Sequence, residues 1–222
     1  MIRRDYIVRM IEEFAEALAR IRALKERRQH GEALILTEAE FKRITGIDSE
    51  ALLKLSETEL VARLIESEPL HAVREKLFFL TTLLKEAGDI AATQERMNES
   101  QACYLKGLHL LLNSLARSDA YEQPEFVPKV ELFVNALDEM PAQTSAMLME
   151  HYERTGQFAK AEDALFAILD GDVNNDYALN FGISFYERLL GRPDPLLEEG
   201  NLPRAEIEAG LRELRGKRAP AR

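Results

Sequence analysis

Ser145 to Val173, SAMLMEHYERTGQFAKAEDALFAILDGDV, is the stretch that decides the fold. Leu148, Tyr152, Gly156, Phe158, Ala161, Leu165 and Leu169 fall at the spacing of a helix, a tight turn and a second, antiparallel helix. Gly156 suits a helix C′ position, where the backbone must turn left-handed and a Cβ would be strained. Phe158, two residues on, can fill the wedge between the helices. Ala161 is small where the two helices must approach closely.

Such a unit resembles a tetratricopeptide repeat of about 34 residues, which implies an interaction scaffold rather than a catalytic framework. Downstream, Asn174-Asn175-Asp176 reads as the cap of a helix whose Ala178, Phe181, Gly182 and Phe185 match the first helix of a second repeat. Gly191-Arg192-Pro193 ends that helix. Glu199–Glu206, EGNLPRAE, echoes Thr155–Glu162, TGQFAKAE, 44 residues on. A last helix is expected over Ala205–Leu214, with a disordered tail from Gly216.

Upstream, Ile7, Met10, Ile11, Phe14, Leu18, Ile21 and Leu24 form one broad stripe, predicting a helix from an Asp5 N-cap to about Arg28. His30-Gly31 is expected to break it before a second helix that ends at Gly46. Two short helices follow between Asp48 and Ser67, the second opened by the capping box Ser56-Glu57-Thr58-Glu59. Pro69 restarts the chain into a helix through Leu84 to Gly88 or beyond, and another begins near Asn98. In repeat terms Ala87-Gly88 takes a close-packing position, with Tyr104, Gly107 and Leu108 opposite. Ser118–Pro128, polar with two prolines, marks a subdomain boundary, and Lys129–Met140 reads as a helix before Pro141. The expected organisation is a helical subdomain over 1–118, repeats over 119–215 and a tail over 216–222. The fold class is all-α, about ten or eleven helices stacked as antiparallel hairpins in a tetratricopeptide-like α-solenoid.

The opening RRDYIVRMIEEFAEALARI, the acidic short-helix segment in the middle and the later TGQFAKAEDALFAILD together resemble an uncharacterised bacterial family. The resemblance implies an all-helical fold with degenerate tetratricopeptide-like repeats and a cytoplasmic setting. It implies no activity.

Composition agrees with an all-α chain. Among 222 residues there are 11 Gly, 8 Pro and no Trp, while Ala, Leu, Glu, Arg and Lys dominate. A formal net charge of −10 disfavours a general nucleic-acid binder, since phosphate neutralisation needs a basic face. Basic residues do gather at Arg3, Arg4 and Arg9 and again at Arg212, Arg215, Lys217, Arg218 and Arg222, and are read as solvated ends. The single Cys103 excludes an internal disulfide and fits a reducing compartment. Glu12, Glu13 and Glu16 interrupt the apolar opening, which therefore does not read as a signal peptide. The runs Phe78–Leu84 and Leu108–Leu112 are too short for a membrane span of roughly 20 residues.

No residue pattern names a reaction. Asp170 to Asp176 imitates the start of a calcium loop, but Asn175 and Phe181 stand where an EF-hand needs Gly and Glu. Cys103 has no histidine on its own face of the helix, so it reads as a packed thiol. His30, His71 and His151 are scattered singly, without a second ligand at helical spacing. Glu12, Glu13 and Glu16 form an acidic face with nothing apolar to enclose them. No metal, cofactor or catalytic site is therefore expected.

What remains is surface. In a tetratricopeptide arrangement the first helices of successive repeats line a groove, and the register places Gln143, Ala146, Glu150, Glu153 and Arg154 there, then Asp176, Leu179, Ile183, Tyr186 and Glu187. Gln143, Glu150, Glu153, Arg154, Leu179, Ile183 and Tyr186 are the candidate partner-binding residues. Glutamates beside Leu179, Ile183 and Tyr186 suit an apolar segment flanked by basic residues. The alternative is that these apolar residues pack on a short Pro193–Glu199 helix or across a homodimer. The functional expectation is a non-catalytic cytosolic adaptor for a protein or peptide. The alternatives are a homo-oligomer without a groove ligand, or a small-molecule or nucleic-acid-linked regulator.

Overall fold

Phe78-Phe79-Leu80-Thr81-Thr82-Leu83-Leu84 offers water no face, so a helix built from it has to be enclosed on all sides. In the computed structural model, which describes residues 2–67, 70–116, 123–171 and 176–218, all seven side chains are buried. The Thr82 hydroxyl satisfies itself by donating to the Phe78 carbonyl at 2.9 Å. This segment belongs to α5 (Leu70–Thr93), which packs against α1 (Ile2–Glu26), α2 (His30–Thr45), α4 (Glu57–Ser67) and α6 (Met97–Ala116). The remaining helices are α3 (Ser49–Lys54), α7 (Val130–Val134), α8 (Ala142–Arg154), α9 (Phe158–Gly171), α10 (Asp176–Leu190), α11 (Asp194–Glu199) and α12 (Arg204–Arg218). Among the described residues there are twelve helices and no strand, so the chain is all-α. Contacts divide it into two compact units, Met1–Asp138 and Glu139–Arg222.

In the first unit, the stripe of α1 is used internally. Met10, Phe14, Leu18 and Ile21 are buried in one core with Phe41, Leu52, Leu64, Leu80 and Leu83. Phe14 stacks on Phe79 with ring centroids 4.1 Å apart. Each such side chain contributes about 1.5–3 kcal/mol by leaving water. Glycine lets α5 and α6 meet closely. A Cβ on Gly88 would lie 2.6 Å from the Tyr104 ring, and one on Gly107 would lie 2.6 Å from Phe133. The capping box is present: Ser56 N–H donates to Glu59 at 2.8 Å, and Glu59 N–H to the Ser56 hydroxyl at 3.2 Å.

Three expectations for this unit need correction. Asp5 is not an N-cap, because α1 already begins at Ile2. The break after α1 comes at Arg28, which takes the left-handed conformation (φ 60°), while Gly31 lies inside α2. The helix expected over Lys129–Met140 stops at Val134. There the Gln101 side chain accepts from Asp138 N–H and donates to the Ala136 carbonyl, both at 3.0 Å, taking backbone groups that a longer helix would use itself. α7 belongs to the first unit, and the division between units falls after the 118–128 stretch that composition singles out.

The second unit is built on the turn at Gly156. Gly156 has φ 75°, its N–H donates to the Glu153 carbonyl at 3.2 Å, and Gln157 N–H donates to Tyr152 at 2.8 Å. These two bonds make a Schellman ending for α8. Phe158, Ala161, Leu165 and Leu169 of α9 are buried, as their spacing requires. α10 then lies against α9 and against α12.

Burial repeats along this unit. Thr144, Ser145, Leu148, Met149 and Tyr152 of α8 are buried, and so are Ala178, Leu179, Gly182, Ile183 and Tyr186 of α10, each 34 positions on. This register differs by one residue from the match through Ala178, Phe181, Gly182 and Phe185, a rotation of about 100° around the helix. The second turn is shifted likewise. Gly200 has φ −78°, and the left-handed residue is Asn201, φ 55°. Asn201 N–H donates to Glu198 and Leu202 N–H to Leu197, both at 3.0 Å, the same bond pattern as at Gly156. The inserted α11 makes this hairpin longer than the first.

α12 continues through Gly216 to Arg218, so the helix outlasts the expected tail boundary. Lys217 pairs with Glu213 at 2.8 Å, one turn back. Residues 219–222 lie outside the described residues.

Candidate functional site

The expected groove residues separate into two groups. Gln143, Glu150 and Arg154 are exposed on α8, as are Asp176 and Glu187 on α10. Leu179, Ile183 and Tyr186 are core. The one-residue change of register turns them inward, so the apolar part of the expected groove is packing inside the second unit. Tyr186 shows how: its ring covers Gly210 of α12, where a Cβ would come within 2.5 Å, and its hydroxyl donates to Glu162 of α9 at 2.6 Å. Burial raises the Glu162 pKa above the usual carboxyl range; the Tyr186 hydrogen bond opposes that, and Glu206 and Asp163 reinforce it.

Glu153 is committed as well. Arg188 of α10 donates to both its oxygens, Nε to Oε1 at 2.8 Å and Nη2 to Oε2 at 2.7 Å. This fork matches a carboxylate in plane and fixes α10 beside α8. The hydrogen bond to Glu153 holds the Arg188 pKa above its ordinary value.

Beside this pair opens a cleft of about 510 Å³. One wall is the end of α8 and its turn, Glu153 to Phe158. The other is Arg192, in the turn between α10 and α11, with Leu196 and Glu199 of α11. The turns are held together directly: Ala159 N–H, a free donor of the first turn of α9, bonds to the Gly200 carbonyl at 3.0 Å. Gly200 lies against Phe158 with no room for a Cβ. Arg204 fixes the second wall by donating to the carbonyls of Leu190 at 2.9 Å and Arg192 at 2.8 Å. Arg154 and Arg192 are exposed, and among the described residues neither pairs with a carboxylate. Leu196 is 46% exposed.

Sequence reasoning found Glu153 and Arg154 but missed Arg192, Leu196 and Glu199. Their signal was the short Pro-bounded segment after Gly191, which interrupts the repeat and so stands out from it.

Elsewhere the polar chemistry is structural. Cys103 is buried, and desolvation pushes its thiol up to about 12, far from a thiolate nucleophile at neutral pH. Glu86, with a side chain 1% exposed, receives Arg22 at 2.9 Å and also Lys25; Lys25 and Lys85 reach Asp89, which accepts from the Tyr104 hydroxyl at 2.9 Å. Burial works to raise the Asp89 pKa, but its bonds to Lys25 and Lys85 prevail and hold it below the usual range. This network was also missed; the sign of it is the acidic pair Glu86 and Asp89, one turn apart on a helix whose middle, Leu77–Leu84, carries no charge. Lys106 bonds to Glu57 at 3.0 Å, with His109 at 3.5 Å from the same carboxylate. Burial lowers the His109 pKa and outweighs Glu57, which raises it. Glu12, Glu13 and Glu16 are exposed. No group of three or more His, Cys, Asp or Glu among the described residues is placed to hold a metal ion. Positions 172–175 of the calcium-like stretch and the His71 side chain lie outside the described residues. No described helix is long and apolar enough to cross a membrane.

A model for a protein family matches residues 1–219; its description is a family of unknown function, DUF6483. No curated protein and no solved structure matches the chain.

Proposed function

The chain belongs to that family of unknown function, and we propose that it is a cytoplasmic, non-catalytic scaffold that binds a protein or peptide through its second unit. The finer architecture in this reading is a tetratricopeptide-like α-solenoid. The observation that carries it is the recurrence of burial at 34 residues between α8 and α10, the period of a tetratricopeptide repeat. Helices repeated in this way present adjacent surfaces to a partner, and the α11 insertion adds a cleft beside them. Arg154, Arg192 and Leu196 are the residues proposed to meet the partner; Glu153, held by Arg188, shapes the rim, and Leu179, Ile183 and Tyr186 support them from the core. Nucleic acid is not the proposed partner, for Arg212, Arg215 and Lys217 each stand beside a glutamate.

The test is capture from a native extract of the source cells, comparing the wild type with Arg154→Glu/Arg192→Glu. A protein retained by the first and lost by the second, with helicity unchanged, supports the reading. Equal retention by both removes the cleft from it.

The second reading is self-association, in which exposed apolar side chains such as Tyr177, 88% exposed at the start of α10, would meet a second copy. Light scattering separates the two: a strict monomer at micromolar concentration excludes the homo-oligomer.

A further inference from the structure

We propose that the cleft between the α8–α9 turn and α11 takes an acidic peptide segment carrying a bulky apolar side chain. The inference rests on the scaffold reading above and adds the chemistry of the partner.

Charge complementarity carries it. Arg154 reaches the cleft from the end of α8 and Arg192 from the turn between α10 and α11, and neither has a carboxylate partner among the described residues. Glu153 would repel an anion, but both its oxygens are taken by Arg188, whose charge cancels its own. Glu199 is then one carboxylate against two guanidinium groups. With Glu153 neutralised by Arg188, the lining keeps one positive charge in excess, in a chain of net charge −10. Two planar forks on opposite walls suit carboxylates approached from both sides. A small anion would satisfy the arginines alone. Leu196, half-exposed beside Phe158, provides an apolar contact that only a larger ligand uses. Acidic groups flanking a Leu, Ile or Phe meet both requirements, and a basic segment meets neither Arg154 nor Arg192.

The test pans a display library of short random peptides on the full-length protein at low salt, then measures the enriched peptide, fluorescein-labelled, by anisotropy. The expected result is enrichment of Asp and Glu around an apolar residue. Affinity should fall by about tenfold or more in Arg154→Glu/Arg192→Glu and in Leu196→Asp, and should weaken as salt rises. Both arginines are exposed, so these variants should keep the wild-type circular dichroism and melting temperature, which are measured alongside. Acidic peptides bound equally by the charge-reversed variant overturn the proposal. Enrichment of Lys- and Arg-rich peptides overturns it too, while leaving the scaffold reading intact. Failure to enrich any peptide above an unrelated helical protein overturns both.

Discussion

Arg188 holds both oxygens of Glu153, at 2.8 and 2.7 Å, across the 35 positions that separate them in the chain. The pair does two things at once. It sets α10 beside α8, and it neutralises a carboxylate at the rim of the cleft. Arg188 is half-exposed, so solvent screening reduces what the pair contributes to about 1 kcal/mol. Arg188→Ala should therefore lower stability in urea unfolding by about that amount. Arg188→Lys should restore less than half of it, because an ammonium cannot reproduce the fork.

Glu162 works against the fold at neutral pH. Burial raises its folded pKa above its ordinary 4.5. A carboxyl raised in this way contributes stability below the unfolded value and loses it as pH rises through the folded value. Glu162→Gln keeps an acceptor for the Tyr186 hydroxyl and removes the buried charge. The variant should melt higher than the wild type at pH 7, and the advantage should shrink towards pH 4.

Asp89 has the opposite sign. Its folded pKa lies below the ordinary 3.8 because Lys25 and Lys85 overcome the effect of burial. Its contribution is present at neutral pH and is lost as pH falls through the folded value. Asp89→Asn should destabilise the protein at pH 7, and thermal melts of the two proteins should converge in strong acid. Tyr104→Phe removes the hydroxyl that donates to Asp89 and should cost about 1 kcal/mol at pH 7.

Two glycines should respond in opposite directions. At Gly88 a Cβ meets the Tyr104 ring at 2.6 Å, whereas at Gly31 it meets nothing within 4 Å. Gly88→Ala should destabilise by about 1–3 kcal/mol through overpacking. Gly31→Ala should stabilise by about 0.5 kcal/mol, because alanine loses less backbone freedom in a helix. Urea unfolding of both variants decides the matter, and a neutral Gly88→Ala would mean that α5 and α6 are not in close approach.

The helices were legible because their signals are local. Gly156, the Ser56–Glu59 box and the apolar spacing of α1, α5 and α9 each act within one or two turns. The groove was less legible. Leu179, Ile183 and Tyr186 lie one residue from the expected register, and over a helix of apolar and aromatic residues such as α10 several registers look alike. What decides among them is α12: Gly210 and Leu214 give Tyr186 and Gly182 a place to pack, and those residues are more than 20 positions away. The echo between Thr155–Glu162 and Glu199–Glu206 misled for a related reason. Asparagine is one of the few residues besides glycine that takes the left-handed conformation, and here Asn201, not Gly200, ends α11. The Glu86–Asp89 network escaped because two of its three cations, Arg22 and Lys25, come from a helix some 60 positions earlier.

Hydrogen exchange of the full-length protein, with and without the peptide enriched by the library, tests the central claim most directly. Occupation of the cleft should slow exchange over 153–158 and 192–199, the turn and α11 walls, and leave residues 1–138 unchanged. Slowing confined to residues 1–138, or unchanged exchange at both walls under saturating peptide, would contradict the claim that the second unit is the binding unit.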